Sequence, residues 1–123
     1  MSEYILVRDD GFHPHDGAEP LVLAPDTPLD ALAAHLDQPL IAIDFPAMTD
    51  GRGFSIARRL RKQGYQGRLR ATGKLIAAQY AMARTVGFDE VQISSELAAR
   101  QPQEQWLFRA AWQEWDHRSR LAG

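Results

Sequence analysis

The chain has 123 residues, 45% of them hydrophobic and 24% charged, with a formal net charge of -2; this fits one globular domain and is short for two. Such a balance gives no electrostatic reason to expect nucleic acid or an acidic membrane as a partner. Cysteine is absent, which excludes a disulfide framework, a thiolate nucleophile and a cysteine-ligated metal cluster; the first ten residues show no basic-then-apolar leader and no apolar run nears bilayer length, so a cytoplasmic location is expected.

Tyr4-Ile5-Leu6-Val7 and Leu21-Val22-Leu23 are short runs of strand formers. The segment between them is punctuated by Gly11, Pro14, Gly17 and Pro20, which predicts an N-terminal antiparallel strand pair closed by a long loop. Thr27-Pro28 then reads as a helix start, with Thr27 as cap. Leu29, Leu32, Ala33 and Leu36 share a helical face, so a short helix over 28–37 is expected.

Leu40-Ile41-Ala42-Ile43 is the next strand. The loop 47–53 opens a helix over about 54–63, and a strand comes next at 67–72. A helix over 74–86 is expected to bury Leu75, Ala78, Met82 and Val86, with Gly87 as its stop. A third strand covers 90–93, and Ser94 or Ser95 can cap the segment after it. Pro102 begins a long C-terminal helix carrying Trp106, Phe108, Trp112 and Trp115; Phe108 and Trp112 read as core. Strand and helix alternate here as in parallel sheets with right-handed crossovers. The fold class is therefore α/β: a small single domain with a parallel βαβαβ core over 39–94. Residues 1–38 precede that core and the helical segment 95–123 comes after it.

Side chains alternate across a strand. Ile41, Ile43, Leu69, Ala71, Val91 and Ile93 take one face; Asp44, Arg68, Arg70, Thr72, Glu90 and Gln92 take the other. A sheet buried on both sides reads as continuous apolar runs, so helices are expected mainly on one face. The polar face has two readings. Asp44, Arg68, Arg70 and Glu90 are ion pairs between neighbouring strands, or they form a pocket at the carboxyl ends of the strands, where parallel sheets bind ligands.

The segment Phe45-Pro46-Ala47-Met48-Thr49-Asp50-Gly51-Arg52-Gly53-Phe54-Ser55 joins a strand to a helix. Its glycines permit close backbone approach, and a helix start with Arg52 beside it suits an oxyanion. It is neither a Walker A loop nor a dinucleotide fingerprint. The plainer reading makes Asp50 a cap and leaves Arg52 to a surface acid. Arg70, Thr72 and Lys74 end the next strand and could join the same mouth. The candidate ligand- or partner-binding set is thus Asp44, Thr49, Asp50, Arg52, Ser55, Arg70, Thr72 and Lys74. His13, His15 and Asp16 could offer ligands to a metal, but nothing completes a site and a solvated turn is the simpler reading. No metal is assigned and no cofactor is named. His35 and His117 suit helix ends.

Asp44-Phe45-Pro46, Thr49-Asp50-Gly51-Arg52-Gly53-Phe54-Ser55, Ala57-Arg58 and Leu60-Arg61 resemble a bacterial family of uncharacterised proteins, domain of unknown function 934. The likeness continues through Gly64-Tyr65-Gln66-Gly67, Leu69-Arg70-Ala71, Gly73, Gln79 and Gly87-Phe88-Asp89. Met48 stands where the family often has an aromatic residue, and Ala78 where it often has an acid. The resemblance implies a link to sulfite reductase and other proteins of sulfate assimilation, and an oxidoreductase-like label. Three functions are open: an accessory protein of assimilatory sulfite reduction that binds or docks a partner such as sulfite reductase; a small enzyme in which Asp44 is acid or base while Arg52 and Arg70 hold an anion; and a structural subunit forming a homodimer.

Overall fold

A computed structural model describes residues 4–110. Strands β1 (Tyr4–Arg8), β2 (Gly11–Pro14), β3 (Leu21–Leu23), β4 (Leu40–Phe45), β5 (Arg68–Gly73) and β6 (Glu90–Ser94) form a single sheet. Its order is β2-β1-β6-β5-β4-β3. Strands β3 to β6 run parallel, as the alternation of strand and helix requires. Helices α1 (Arg52–Lys62), α2 (Tyr80–Val86), α3 (Ser95–Arg100) and α4 (Gln103–Arg109) complete the fold.

The N-terminal antiparallel pair exists, but between other partners than expected. β1 pairs with β2 through a tight hairpin in which Arg8 faces Gly11, and on its other side β1 runs antiparallel to β6. Leu21–Leu23 is instead the opposite edge of the sheet, parallel to β4. Short apolar runs specify a strand without specifying its neighbour, and only the finished sheet decides that.

The core lies where the apolar alternation places it. Ile41, Ile43, Leu69, Ala71, Val91 and Ile93 are buried against Ile56, Leu60, Tyr80, Ala83 and Trp106 of the helices. The other face carries Arg70 and Glu90 in register, and Thr72 opposite Gln92. Residues 15–20 cross this face to connect the two edges of the sheet. His15 Nδ1 accepts the Gly17 N–H and the Asp16 carboxylate the Ala18 N–H, so this strap crosses the face as a turn held by its own side chains.

Several local expectations are corrected. Leu29–His35 is a 3-10 helix rather than an α-helix, and Thr27 turns its hydroxyl back to the Ala24 carbonyl at 2.6 Å instead of capping. The helix expected from residue 74 begins only after Ile76, as a 3-10 turn, Ala77–Gln79, leading into α2. Its buried residues are Ala77, Tyr80, Ala83 and Val86, while Met82 is exposed. The late start shifts the phase of the apolar stripe. The long C-terminal helix is not found among the described residues: α4 has seven. Within it Trp106 is buried at 1% exposure and Phe108 lies open at 64%, the reverse of the assignment of Phe108 to the core. Trp112, Trp115 and His117 lie outside the described residues. Ser94 does cap α3, accepting the Leu97 N–H at 3.1 Å. No helix among the described residues is long and apolar enough to cross a membrane.

Candidate functional site

An open cleft of about 720 Å³ lies at the carboxyl ends of β4, β5 and β6. Its walls are the loop after β4 (Pro46, Ala47, Met48), the turn after β5 (Gly73, Lys74, Ile76) and α3 with the residues that flank it (Ser94, Glu96, Leu97, Arg100, Gln101). The turn after β5 is forced by Gly73. Its φ of +115° favours glycine, and a Cβ there would run into the Phe45 carbonyl oxygen. Lys74 N–H then donates to that same carbonyl at 2.9 Å, which locks the turn onto the end of β4. Asp44 stands beside it, half-buried and in register with Thr72.

Two glutamines brace the walls. Gln79 donates through Nε2 to the Met48 carbonyl at 2.7 Å and accepts from the Ile76 N–H at 3.1 Å. Gln101 accepts the Ala77 N–H at 2.7 Å, and its own carbonyl takes the Trp106 indole N–H at 2.9 Å. The cleft is therefore fixed by side chains that join its walls and tied to the buried tryptophan. Lys74 and Arg100 line it with no ion pair among the described residues.

The candidate set read from sequence separates into three places. Asp44 and Lys74 belong to the strand ends around this cleft. Thr49, Asp50, Arg52 and Ser55 lie at the start of α1, where Asp50 accepts Arg52 N–H at 3.1 Å and the Arg52 guanidinium at 3.0 and 2.8 Å. That paired guanidinium holds the Asp50 carboxyl below its ordinary value. The anion that this helix start receives is the chain's own side chain. Arg70 and Thr72 lie on the strap face of the sheet.

On that face Arg70 is fully buried and Glu90 is 2% exposed. Arg70 donates through Nε to Glu90 at 2.6 Å and through Nη1 to Gln92 at 3.3 Å. Glu90 also accepts from Arg68 at 2.7 Å and from Arg8 at 3.0 Å. Asp16 of the strap meets all three arginines: Arg68 at 2.7 Å, Arg70 at 3.3 Å and Arg8 at 3.8 Å. Burial pushes the Glu90 carboxyl up, but the hydrogen bond and charge of Arg70, with Arg8 and Arg68, outweigh it and leave it below its ordinary range. Asp16 behaves likewise: desolvation raises it, and the bonds from Arg68 and Ala18 with the charge of Arg70 bring it far below. Arg68, Arg70 and Glu90 are thus ion pairs across strands, one of the two readings of the polar face, while Asp44 takes no part in any ion pair among the described residues.

His13 and His15 do not converge. His13 Nε2 is 2.6 Å from Asp10, and His15 Nδ1 accepts the Gly17 N–H at 3.0 Å. Among the described residues no group of three side chains is arranged to hold a metal. Gly53, read as a glycine that lets backbone approach a ligand, is buried against the Phe45 ring, 2.5 Å from where a Cβ would stand. Arg61, which sequence places only within the family pattern, is structural. It donates to the carbonyls of Gly87, Tyr65 and Gly67 and to the Asp89 carboxylate. Arg100 and Gln101 escape sequence reasoning, since a polar residue at the end of a short helix and the one that follows it carry no distinguishing pattern. Asp16 reads in sequence as part of a solvated turn rather than a partner of arginines, because Arg68 and Arg70 are more than fifty positions away.

A model of a bacterial protein of unknown function (DUF934) matches residues 20–119. Neither a curated protein nor a solved structure matches.

Proposed function

We propose, on the premise that this chain belongs to the bacterial DUF934 family, that it is a cytoplasmic accessory protein of assimilatory sulfite reduction which docks an acidic segment of a partner enzyme in the cleft at the strand ends. The pathway rests on the family resemblance carried by the D-G-R-G-F-S run and its neighbours. The docking reading rests on one observation. Among the described residues Arg8, Arg52, Arg61, Arg68, Arg70 and Arg84 each engage a carboxylate of this chain, whereas Lys74 and Arg100, which like Arg58, Arg59 and Lys62 form no ion pair, line one cleft together, with Glu96 in its wall.

Open clefts that mix cations with apolar surface suit a peptide or protein edge better than a small substrate. Met48, 51% exposed, and Leu97 supply that apolar surface. The enzyme reading draws less support, because both arginines it needs are already engaged: Arg52 by Asp50 and Arg70 by Glu90.

Charge reversal tests the proposal. The double variant Lys74→Glu, Arg100→Glu is expected to keep its circular dichroism spectrum and to weaken co-purification with sulfite reductase by about tenfold or more, as loss of electrostatic complementarity predicts. Growth on sulfate as sole sulfur source should fall with it. Undiminished binding and growth with the variant would refute the docking role.

A further inference from the structure

The strap face holds a second cationic site, separate from the cleft. Arg8, Arg68 and Arg70 converge there on two carboxylates of unequal standing. Glu90 is 2% exposed and belongs to the sheet itself. Asp16 has a side chain 30% exposed and belongs to the strap. Its bond to Arg68 is short at 2.7 Å, that to Arg70 is long at 3.3 Å, and Arg8 is only an ionic contact at 3.8 Å.

Three guanidiniums against two carboxylates leave one positive charge unneutralised. Replacing Asp16 by a dianion would leave none. Guanidinium forks fit tetrahedral oxyanions in the two-pronged manner in which they fit carboxylates. Room and access are present: Arg8 and Arg68 are 37% and 40% exposed. An open cleft of about 440 Å³ adjoins, with Gly17, Ala18, Ala42, Thr72, Gln92 and the strap's Glu19 among its lining, and Gln92 already touches Arg70.

We propose that Arg8, Arg68 and Arg70 form a binding site for a small dianionic oxyanion of the sulfate and phosphate class, with the Asp16 carboxylate as its built-in competitor. Binding exchanges Asp16 for the ion and lifts the strap from the sheet.

Asp16→Asn keeps the shape of the latch and removes its charge. Calorimetric titration with inorganic phosphate and, separately, sulfate is expected to show binding about tenfold or more tighter to D16N than to the unsubstituted protein, because a site that is mostly self-occupied has its affinity lowered by the occupied fraction. Acetate, a single charge, should not reproduce the effect. Adding Arg68→Gln to D16N should abolish the gain. The unsubstituted protein supplies an independent readout. Ala18 N–H donates to Asp16 at 3.1 Å, so saturating phosphate should speed hydrogen exchange at Ala18 relative to sodium chloride of equal ionic strength. Equal phosphate affinity in D16N and the unsubstituted protein, or exchange at Ala18 indifferent to phosphate, would overturn the proposal. Because Lys74 and Arg100 are untouched, failure here leaves the docking cleft standing, and the converse.

Discussion

Arg70 is the most deeply buried charge among the described residues. It is fully buried, and its pairing with Glu90 falls at directly neighbouring positions of β5 and β6. A buried guanidinium is tolerated when a carboxylate neutralises it at short range; removing one partner strands the other in a low dielectric. Glu90→Gln is therefore expected to destabilise the fold by about 3–5 kcal/mol in urea denaturation. Half of this pair was legible from alternation alone, since Arg68, Arg70 and Glu90 fall on one face of their strands. What alternation could not say is whether such charges face a ligand or one another. That depends on strand register, and register is a property of the assembled sheet. The same limit explains Gly53. In sequence it reads as room for a ligand; in the fold Phe45 fills that room.

At the scale of elements, periodicity identified helices more securely than it phased them. The break at Gly73 and the Gln79 bond to Ile76 delay the helix after β5, so the stripe through Ala78 and Met82 turns outward and Tyr80 and Ala83 turn inward. In α4, Trp106 and Phe108 are two positions apart and cannot share a helical face. Trp106 packs edge-on against Tyr80, with ring centroids 6.1 Å apart. Trp106→Ala should cost about 3–5 kcal/mol in urea denaturation, whereas Phe108→Ser should stay within about 0.5 kcal/mol. Similar losses for both would mean that α4 is phased otherwise. The cleft was partly legible at this scale: strand ends of a parallel sheet are where a site belongs, and Lys74 reads as part of one. Arg100 arrives there because α3 packs beside β6, which no local pattern foretells.

For the whole molecule, the strap couples charge to architecture. Glu90 and Asp16 have ordinary values of 4.5 and 3.8, and both are lowered in the fold. A lowered carboxyl contributes stability that is fully present above its unfolded value and is lost as pH falls toward its folded one. Urea midpoints should therefore be level above about pH 5.5 and decline steadily below about pH 4.5, over the span set by these two groups. The decline should be shallower in D16N, which lacks one of them. A pH-independent midpoint down to strongly acid solution would contradict the cluster as described. Alternation of strand and helix was enough to read the parallel run β4, β5, β6. The edges were not legible, because the strap that joins them is held by a salt bridge spanning 52 positions.

The place of β1 between β2 and β6 has a consequence for how the protein is made. The hairpin leaves the ribosome before the rest of the sheet, yet the neighbour that seats β1 ends at Ser94. Until then one side of β1 offers unsatisfied amides and carbonyls to anything nearby. Completion of the sheet waits on translation through β6, which makes a nascent chain stalled within α2 a sticky intermediate rather than a small stable domain.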